Sequence, residues 1–379
     1  MSYLLSVIVP TKDRYYHLKK LIKLINSFKS NDIELVLQDN TENNAEILDF
    51  LNTQDNPHIK YAHNSQQIPI SLNADLAILN SSGEFICFIG DDDGVTKYII
   101  ECAKWMKKNR IDVVVPSTIA YTWPDYNDLY GINYSGKLQY KKITNKITPV
   151  DTKKCLIDLM NRGFIDRGNL PLSYHGIVSR SIMDKIYAIG NSYFPGPSPD
   201  IANGVALSLL VTNYYNVNFP IIISGASKTH GGGIRKMKNR ASNIEDLPFL
   251  PTNTKDLWEK NIPRIWTGET IWCESAIKAL RYMGRQDLIN QVNFEFMYAT
   301  FIAFHFSTIS KYAYNLSKNK LKLIITFMYI LIVRYSKAFI RLIYYKISGK
   351  LYGQKVYSDI PNIIKCVEVL HFNFQKPPF

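Results

Sequence analysis

The sequence predicts an α/β protein, a mostly parallel sheet flanked by helices, with a mainly helical C-terminal extension. Three observations carry this. Between Leu4 and Val115, short β-rich apolar runs alternate with segments whose apolar residues recur at helical spacing, which is the pattern of βαβ units. Phe85 to Ile89 is an apolar run ended by Gly90 and followed at once by Asp91, Asp92 and Asp93, a buried strand delivering carboxylates at its carboxyl end, where open α/β sheets place ligands. Beyond Leu316 the chain becomes basic and aromatic around one apolar stretch.

Leu4 to Val9 is the first strand, broken by Pro10-Thr11-Lys12-Asp13-Arg14. Leu18, Leu21, Ile22 and Ile25 then mark one apolar face of a helix whose other face carries lysines. Ile33 to Leu37 is a second strand ending in Gln38-Asp39-Asn40, Glu42 to Leu51 a helix, Ile59 to Ala62 a third strand and Leu72 to Leu79 a helix. After the Phe85 strand come a helix over Tyr98 to Lys108 and a strand over Asp112 to Val115. Right-handed crossovers then bring Thr11 to Arg14, Asp39-Asn40 and Asp91 to Asp93 to one cleft. Pro116 to Val150 is polar and aromatic without clear period, a long excursion or a small β insertion. Cys155 to Met160 reads as helix, Tyr174 to Ser179 as strand, Ser181 to Tyr187 as helix, Ile201 to Leu210 as a small-residue helix after a Pro-rich turn, and Pro220 to Ser224 as strand. Gly268 to Met283 and Asp287 to Phe306 read as helices.

At 379 residues, with 46% hydrophobic and 20% charged residues, the chain supports a sizeable core and excludes wholesale disorder. A net charge of +13 favours acidic partners, whether nucleotides, phospholipid surfaces or nucleic acid. Five cysteines without a Cys-x-x-Cys pair suit free thiols in a reducing compartment. Met1 to Leu5 runs into a strand with no basic region before it, so no signal peptide is expected. The tail segment, 316–351, has an apolar core, Leu323 to Val333, flanked by Lys318, Lys320, Lys322, Arg334, Lys337, Arg341, Lys346 and Lys350. That core is shorter than the roughly 18–20 residues of a bilayer span, so the expectation is a helix or helix pair lying at an anionic membrane surface. The alternative is a helix packed on the body with solvated lysines.

Three adjacent carboxylates repel one another, and their oxygens suit a hard divalent cation such as Mg²⁺ or Mn²⁺, which commonly takes substrate phosphates in its open positions. The competing reading is a solvated acidic turn. Asp200 lies between a rigid turn and a helix, so it is either a general base presented at the cleft or an N-cap. Glu269 and Asp166 are weaker candidates for the base. His230, in the run Gly225 to Gly233, is either a metal or diphosphate ligand or structural. Lys228 and Arg235 are natural diphosphate partners.

Val7-Ile8-Val9-Pro10-Thr11, Leu35-Val36-Leu37-Gln38-Asp39-Asn40 and Gly83-Glu84-Phe85-Ile86-Cys87-Phe88-Ile89-Gly90-Asp91-Asp92-Asp93, in that order, resemble the family-two inverting glycosyltransferases of the GT-A fold, over about residues 3–235. The resemblance implies a nucleotide-diphospho-sugar donor, usually a UDP-sugar, a divalent cation (Mn²⁺ or Mg²⁺), and transfer with inversion to a glycan or lipid-linked acceptor in surface polysaccharide synthesis. It implies that Pro10, Thr11 and Arg14 line the nucleotide, that Asp39 accepts from the base, that Asp91 binds ribose, and that Asp92 or Asp93, with His230, holds the metal. Asn73 falls where the family often has Arg or Asn near the donor; otherwise it is a surface amide. Gly90 stands where the family often has the first Asp of Asp-x-Asp-Asp, which leaves the register of ribose and metal ligands open by one residue.

The implied organisation is a GT-A catalytic domain over 1–240, with a nucleotide-binding half 1–116 and an acceptor half 117–240, then a mainly helical region 241–379. The implied location is the cytoplasm, peripheral on the inner face of the cell membrane, without nucleic acid as a partner. A nucleotidyltransferase would want a Gly-rich loop after the first strand, and Pro10 to Arg14 contains no Gly. A dinucleotide-binding fold would want Gly-x-Gly-x-x-Gly there. A non-enzymatic basic membrane- or nucleic-acid-binding protein gives no reason for carboxylates to converge in a cleft.

Overall fold

The computed structural model describes residues 3–379 apart from 55, 127–134, 229–241, 245–246, 248–249, 251–252, 306–308 and 349–353. The first half runs β1 (Leu5–Thr11), α1 (Tyr15–Asn26), β2 (Ile33–Asp39), α2 (Ala45–Asn52), β3 (Ile59–His63), α3 (Ile70–Leu79), β4 (Phe85–Phe88), β5 (Gly94–Val95), α4 (Tyr98–Asn109) and β6 (Val113–Pro116). The aromatic excursion that follows contains β7 (Ile119–Thr122), β8 (Lys137–Lys141) and β9 (Ile147–Pro149). Then come α5 (Thr152–Asn161), β10 (Ile177–Ser179), α6 (Arg180–Gly190), α7 (Pro199–Leu210), β11 (Tyr214–Val217) and β12 (Ile222–Ala226).

The main sheet has eight strands in the order β3-β2-β1-β4-β10-β6-β11-β9. β3, β2, β1 and β4 are parallel, and β10 enters antiparallel to both β4 and β6. The sheet is therefore mixed, and parallel where it carries the three polar strand ends. Both faces are covered, so the strands read as continuous apolar runs. Alternation sorts them: Val7, Val9, Leu35, Leu37 and Cys87 pack with α1 and α4, while Ile8, Val36, Ile86 and Phe88 pack with α3 and α6. A second sheet contains β8-β7-β12-β5. It lays Gly225 of β12 so close to the acidic run that a side-chain carbon there would fall 1.7 Å from the Asp92 carbonyl oxygen.

α7 begins at Pro199 rather than at Ile201. Proline is preorganised for the first helical position, so Ser198 holds the N-cap position and Asp200 sits inside the first turn. The Gly268–Tyr282 helix packs along α7, with Ser275 Oγ accepting from the Ser198 amide at 2.8 Å. The predicted helix over Asp287 to Phe306 is divided into Gln286–Ile289 and Phe294–Phe304.

The basic tail forms one continuous helix, Lys320–Ser348. Contrary to expectation, its Lys320–Tyr344 stretch is long and apolar enough to cross a membrane by length and composition; Tyr335 to Tyr344 continues the apolar content past Arg334. The chain then returns to the first half. Gln354–Tyr357 pairs antiparallel with β8, and the Ile363–Asn373 helix buries Ile363, Cys366, Val367 and Leu370 in the same core as Val7 and Leu35.

On α3, buried Asp75 accepts from the Tyr193 amide (2.7 Å) and Ser192 Oγ (2.8 Å). Burial outweighs these bonds and raises its pKa to about 6. A carboxyl raised in the folded state contributes stability that is complete below its unfolded pKa, near 4, and is lost as pH climbs through the folded value. Asp75→Asn keeps an acceptor for Tyr193 and cannot ionise. From pH 4 to 7.5 the wild type should lose on the order of 2 kcal/mol relative to Asp75→Asn, read from urea unfolding at each pH.

Candidate active site

The parallel register aligns Thr11 with Asp39 and Ile8 with Phe88, so the ends of β1, β2 and β4 open at one edge. A cleft of about 430 Å³ lies there, bordered by Pro10, Thr11, Arg14, Asn73, Gly90 and Asp200 among others. That volume suits a small organic ligand. Five residues singled out in the sequence thus meet in one cleft, with Gly90 leading into the acidic run.

The three aspartates are buried and hold different partners. Asp91 Oδ2 accepts from Thr11 Oγ1 (2.6 Å) and Arg14 Nε (3.1 Å), and its Oδ1 pairs with the same guanidinium. Burial nevertheless raises Asp91 to about 7, against the pull of Arg14 and with the push of Asp92. Asp92 Oδ2 accepts from Ser227 Oγ (2.7 Å) and N (3.1 Å), with Arg14 Nη1 at 3.4 Å. The Asp92 carbonyl accepts from Trp123 Nε1 at 2.8 Å. Asp93 Oδ1 accepts from the Gly225 amide (2.7 Å), and Oδ2 accepts from the Gly90 amide (2.6 Å) and Tyr174 OH (3.2 Å), with His175 Nε2 at 2.7 Å. Burial pushes Asp93 up, but His175 and the two amides hold it below the usual carboxylate range.

Gly90 fits this packing. A side-chain carbon there would stand 3.1 Å from Asp93 Oδ2 and 3.2 Å from Asp92 Oδ1, so a fourth carboxylate would press on two already present.

The donor pattern decides how a divalent cation fits. No group of three or more His, Cys, Asp or Glu in metal-holding geometry occurs among the described residues. Both oxygens of Asp91 and of Asp93 face protein donors, so Asp93 ties β4 to β12. Of the oxygens on these three aspartates, Oδ1 of Asp92 is the one with neither a hydrogen bond nor an ion pair to a described residue, while Oδ1 of Asp91 meets the Arg14 guanidinium as an ion pair alone. A magnesium-like ion needs one or two carboxylates when phosphate oxygens and water complete its shell, so the arrangement fits a cation held at Asp92 together with a diphosphate. His230, and Arg235 beside it, lie outside the described residues.

Asp39 is fully buried beneath the cleft edge, accepting from Tyr15 OH (2.7 Å), Tyr61 OH (2.8 Å) and the Thr41 amide (2.9 Å). Asn40 fixes the cleft rim, donating to the carbonyls of Asn64 (2.8 Å) and Gln66 (2.6 Å). Asn73 is no surface amide: it is buried, borders the cleft, and its Oδ1 has no hydrogen-bond partner among the described residues. Lys228 borders a neighbouring depression of about 600 Å³, which shares Arg14 with the cleft. Asp200 Oδ1 accepts from Ser198 Oγ at 2.6 Å. Glu269 is paired with His305 and Asp166 with Arg162, and neither borders the cleft.

Tyr174 and His175 escaped the sequence reading. His175 adopts a left-handed backbone, φ 61°, unusual for a β-carbon residue, and no local motif announces it. Burial, and then the charges of Asp93, Asp92 and Asp200, push the Tyr174 phenol well up, so it stays a donor.

A cleft at the carboxyl ends of parallel strands, with an acidic run after the central one, is a ligand site of the kind that open α/β sheets build. Residues 6–160 match the model of glycosyl transferase family 2: the chain carries a glycosyl transferase family 2 domain and is a glycosyltransferase. Asp200 and Lys228 lie beyond the matched range. No curated protein matches the chain. Among solved structures it is similar to S. aureus TarS 1–349, at 13% identity and a TM-score of 0.45 over 85% of this chain and 88% of that one. The same fragment in complex with UDP-GlcNAc gives 14%, 0.46, 85% and 89%, and in complex with UDP 12%, 0.44, 94% and 96%.

Proposed function

We propose that this glycosyltransferase takes its sugar from a nucleotide-diphosphate donor, a UDP-sugar foremost, and passes it to a hydroxyl of a glycan or lipid-linked acceptor in surface polysaccharide synthesis, by a single inverting displacement. The observation that carries the mechanism is Asp200 bordering the same cleft as Thr11, Arg14 and Asn73. A carboxylate and a guanidinium then flank one ligand.

In the reaction the acceptor oxygen forms a bond to the anomeric carbon while the bond from that carbon to the diphosphate oxygen breaks. The bonding pair leaves with the diphosphate, and the acceptor proton passes to the Asp200 carboxylate. Arg14 supplies fixed positive charge near the departing diphosphate, at no cost in reorganisation because Asp91 and Asp92 already hold it. Lys228 adds a second cation from the adjoining depression. Asn73 offers its unpartnered carbonyl oxygen to a donor N–H or hydroxyl. A divalent cation bound at Asp92 would supply further charge to the diphosphate.

The test is a thermal-shift panel of UDP, GDP, CDP and dTDP, each with Mn²⁺ and with EDTA. A ligand that binds only the folded state raises Tm by mass action. One nucleotide should stabilise the chain, UDP by this account, more with Mn²⁺ than with EDTA, and Asp92→Ala should remove the metal-dependent part. No shift with any nucleotide would contradict the reading.

A further inference from the structure

The Lys320–Ser348 helix has an apolar side, over 321–343, that the described residues leave bare. Its first half is seated on the Phe294–Phe304 helix. Leu323 is 2% exposed, Phe327 and Ile330 pack beside it, and Arg334 donates to the Ala303 carbonyl at 2.9 Å while stacking 4.3 Å over the Phe304 ring. Positions 323, 327, 330 and 334 follow helical spacing, so they define the inward side. The outward side carries Leu321, Ile325, Met328, Ile332, Phe339 and Ile343, at intervals of 4, 3, 4, 7 and 4 residues. Each is between 41% and 70% exposed. From Tyr335 to Ile343 every residue is exposed. An apolar stripe of this length on a soluble surface is a contact surface.

Charge selects the occupant. The helix contains no Asp or Glu, and Lys322, Lys337, Arg341 and Lys346 are exposed along it. Lys322 flanks the stripe, Lys346 continues its line, and Lys337 and Arg341 stand on the other side of the helix. An apolar stripe on a helix whose only charges are cations complements an anionic lipid surface, with acyl chains beneath the stripe. A second copy docked through the same stripe would offer these cations no carboxylate, since the helix has none. Crossing the bilayer would strip the helix from Ala303 and Phe304 and draw Arg334, Lys337 and Arg341 into hydrocarbon, where charges are costly.

We infer that the Lys320–Ser348 helix docks in the plane of an anionic membrane surface through its Leu321–Ile343 stripe, with its inner side still seated on Phe294–Phe304. The inference is independent of which sugar or nucleotide the cleft takes. Docking would hold the enzyme where lipid-linked acceptors lie.

The full chain is floated with vesicles of phosphatidylcholine alone and of phosphatidylcholine with phosphatidylglycerol. Binding should require the anionic lipid and weaken with salt. Ile332→Asp with Phe339→Asp, and separately Lys322→Glu with Lys346→Glu, should each lower the bound fraction about ten-fold or more. Circular dichroism and Tm check that both variants fold; the second pair alters only exposed positions. Three outcomes overturn the inference: no binding to anionic vesicles by wild type; a dimer on light scattering that Ile332→Asp with Phe339→Asp splits, without vesicle binding; or vesicle binding indifferent to lipid charge and resistant to alkaline carbonate, the signature of a spanning helix.

Discussion

Asp200→Asn lowers turnover by about 10²–10⁴-fold, the contribution of a positioned general base, while nucleoside diphosphate affinity stays within about two-fold. Asparagine has the same shape and keeps an oxygen for the 2.6 Å bond from Ser198, so the first turn of α7 is undisturbed. What disappears is the capacity to take the acceptor proton. A residue that merely shaped the turn would behave differently, because Ser198 already occupies the capping position. Ser198→Ala then separates the roles: it frees the carboxylate to swing and costs far less activity than Asp200→Asn. Turnover retained within a few-fold by Asp200→Asn moves the base elsewhere.

The second large effect is at Arg14. Replacing it with Met leaves Asp91 and Asp92 buried without their counter-charge, and breaking a buried ion pair from one side costs about 3–5 kcal/mol. The loss is read as a lower urea midpoint. Arg14→Met combined with Asp91→Asn removes the orphaned charge and should recover most of that stability. It should not recover nucleoside diphosphate binding, since the cation facing the diphosphate is still missing. Recovery of both would assign Arg14 a purely structural role. Failure to recover stability would show that the guanidinium's other neighbour, Asp92, bears the strain.

The parallel core and the acidic run were legible because their signals are local. Val7, Leu35 and Phe85 sit in apolar runs of strand length, and Gly90 marks the chain's exit into Asp91. The apolar face of α1 followed from Leu18, Leu21, Ile22 and Ile25, all buried. What stayed hidden depends on contacts far apart in sequence. The pairing of Gln354–Tyr357 with β8 joins segments more than 200 residues apart, and nothing near Ile363 announces that it fills space over Gly94. The occupation of Asp93 depends on the Gly225 amide arriving from β12, and that of Asp39 on hydroxyls from α1 and β3. Asp200 is the instructive case. Ser198-Pro199 is itself a helix-start signal, which places Asp200 within the first turn, bordering the cleft, rather than at the cap. The span-length character of the tail was missed by counting only the apolar core up to Val333.

The measurement that bears most directly on the central claim is a proton NMR time course of the enzyme with Mn²⁺ and a UDP-sugar, following the slow transfer of sugar to water in place of acceptor. Free UDP and free sugar should appear in equal amounts, the sugar first as the anomer opposite to the donor's, with the signal lost in Asp200→Asn. Release of the same anomer as the donor's would contradict inversion. Release at an undiminished rate in Asp200→Asn would contradict the base, and intact donors throughout a panel of nucleotide-sugars would contradict the assignment of the cleft.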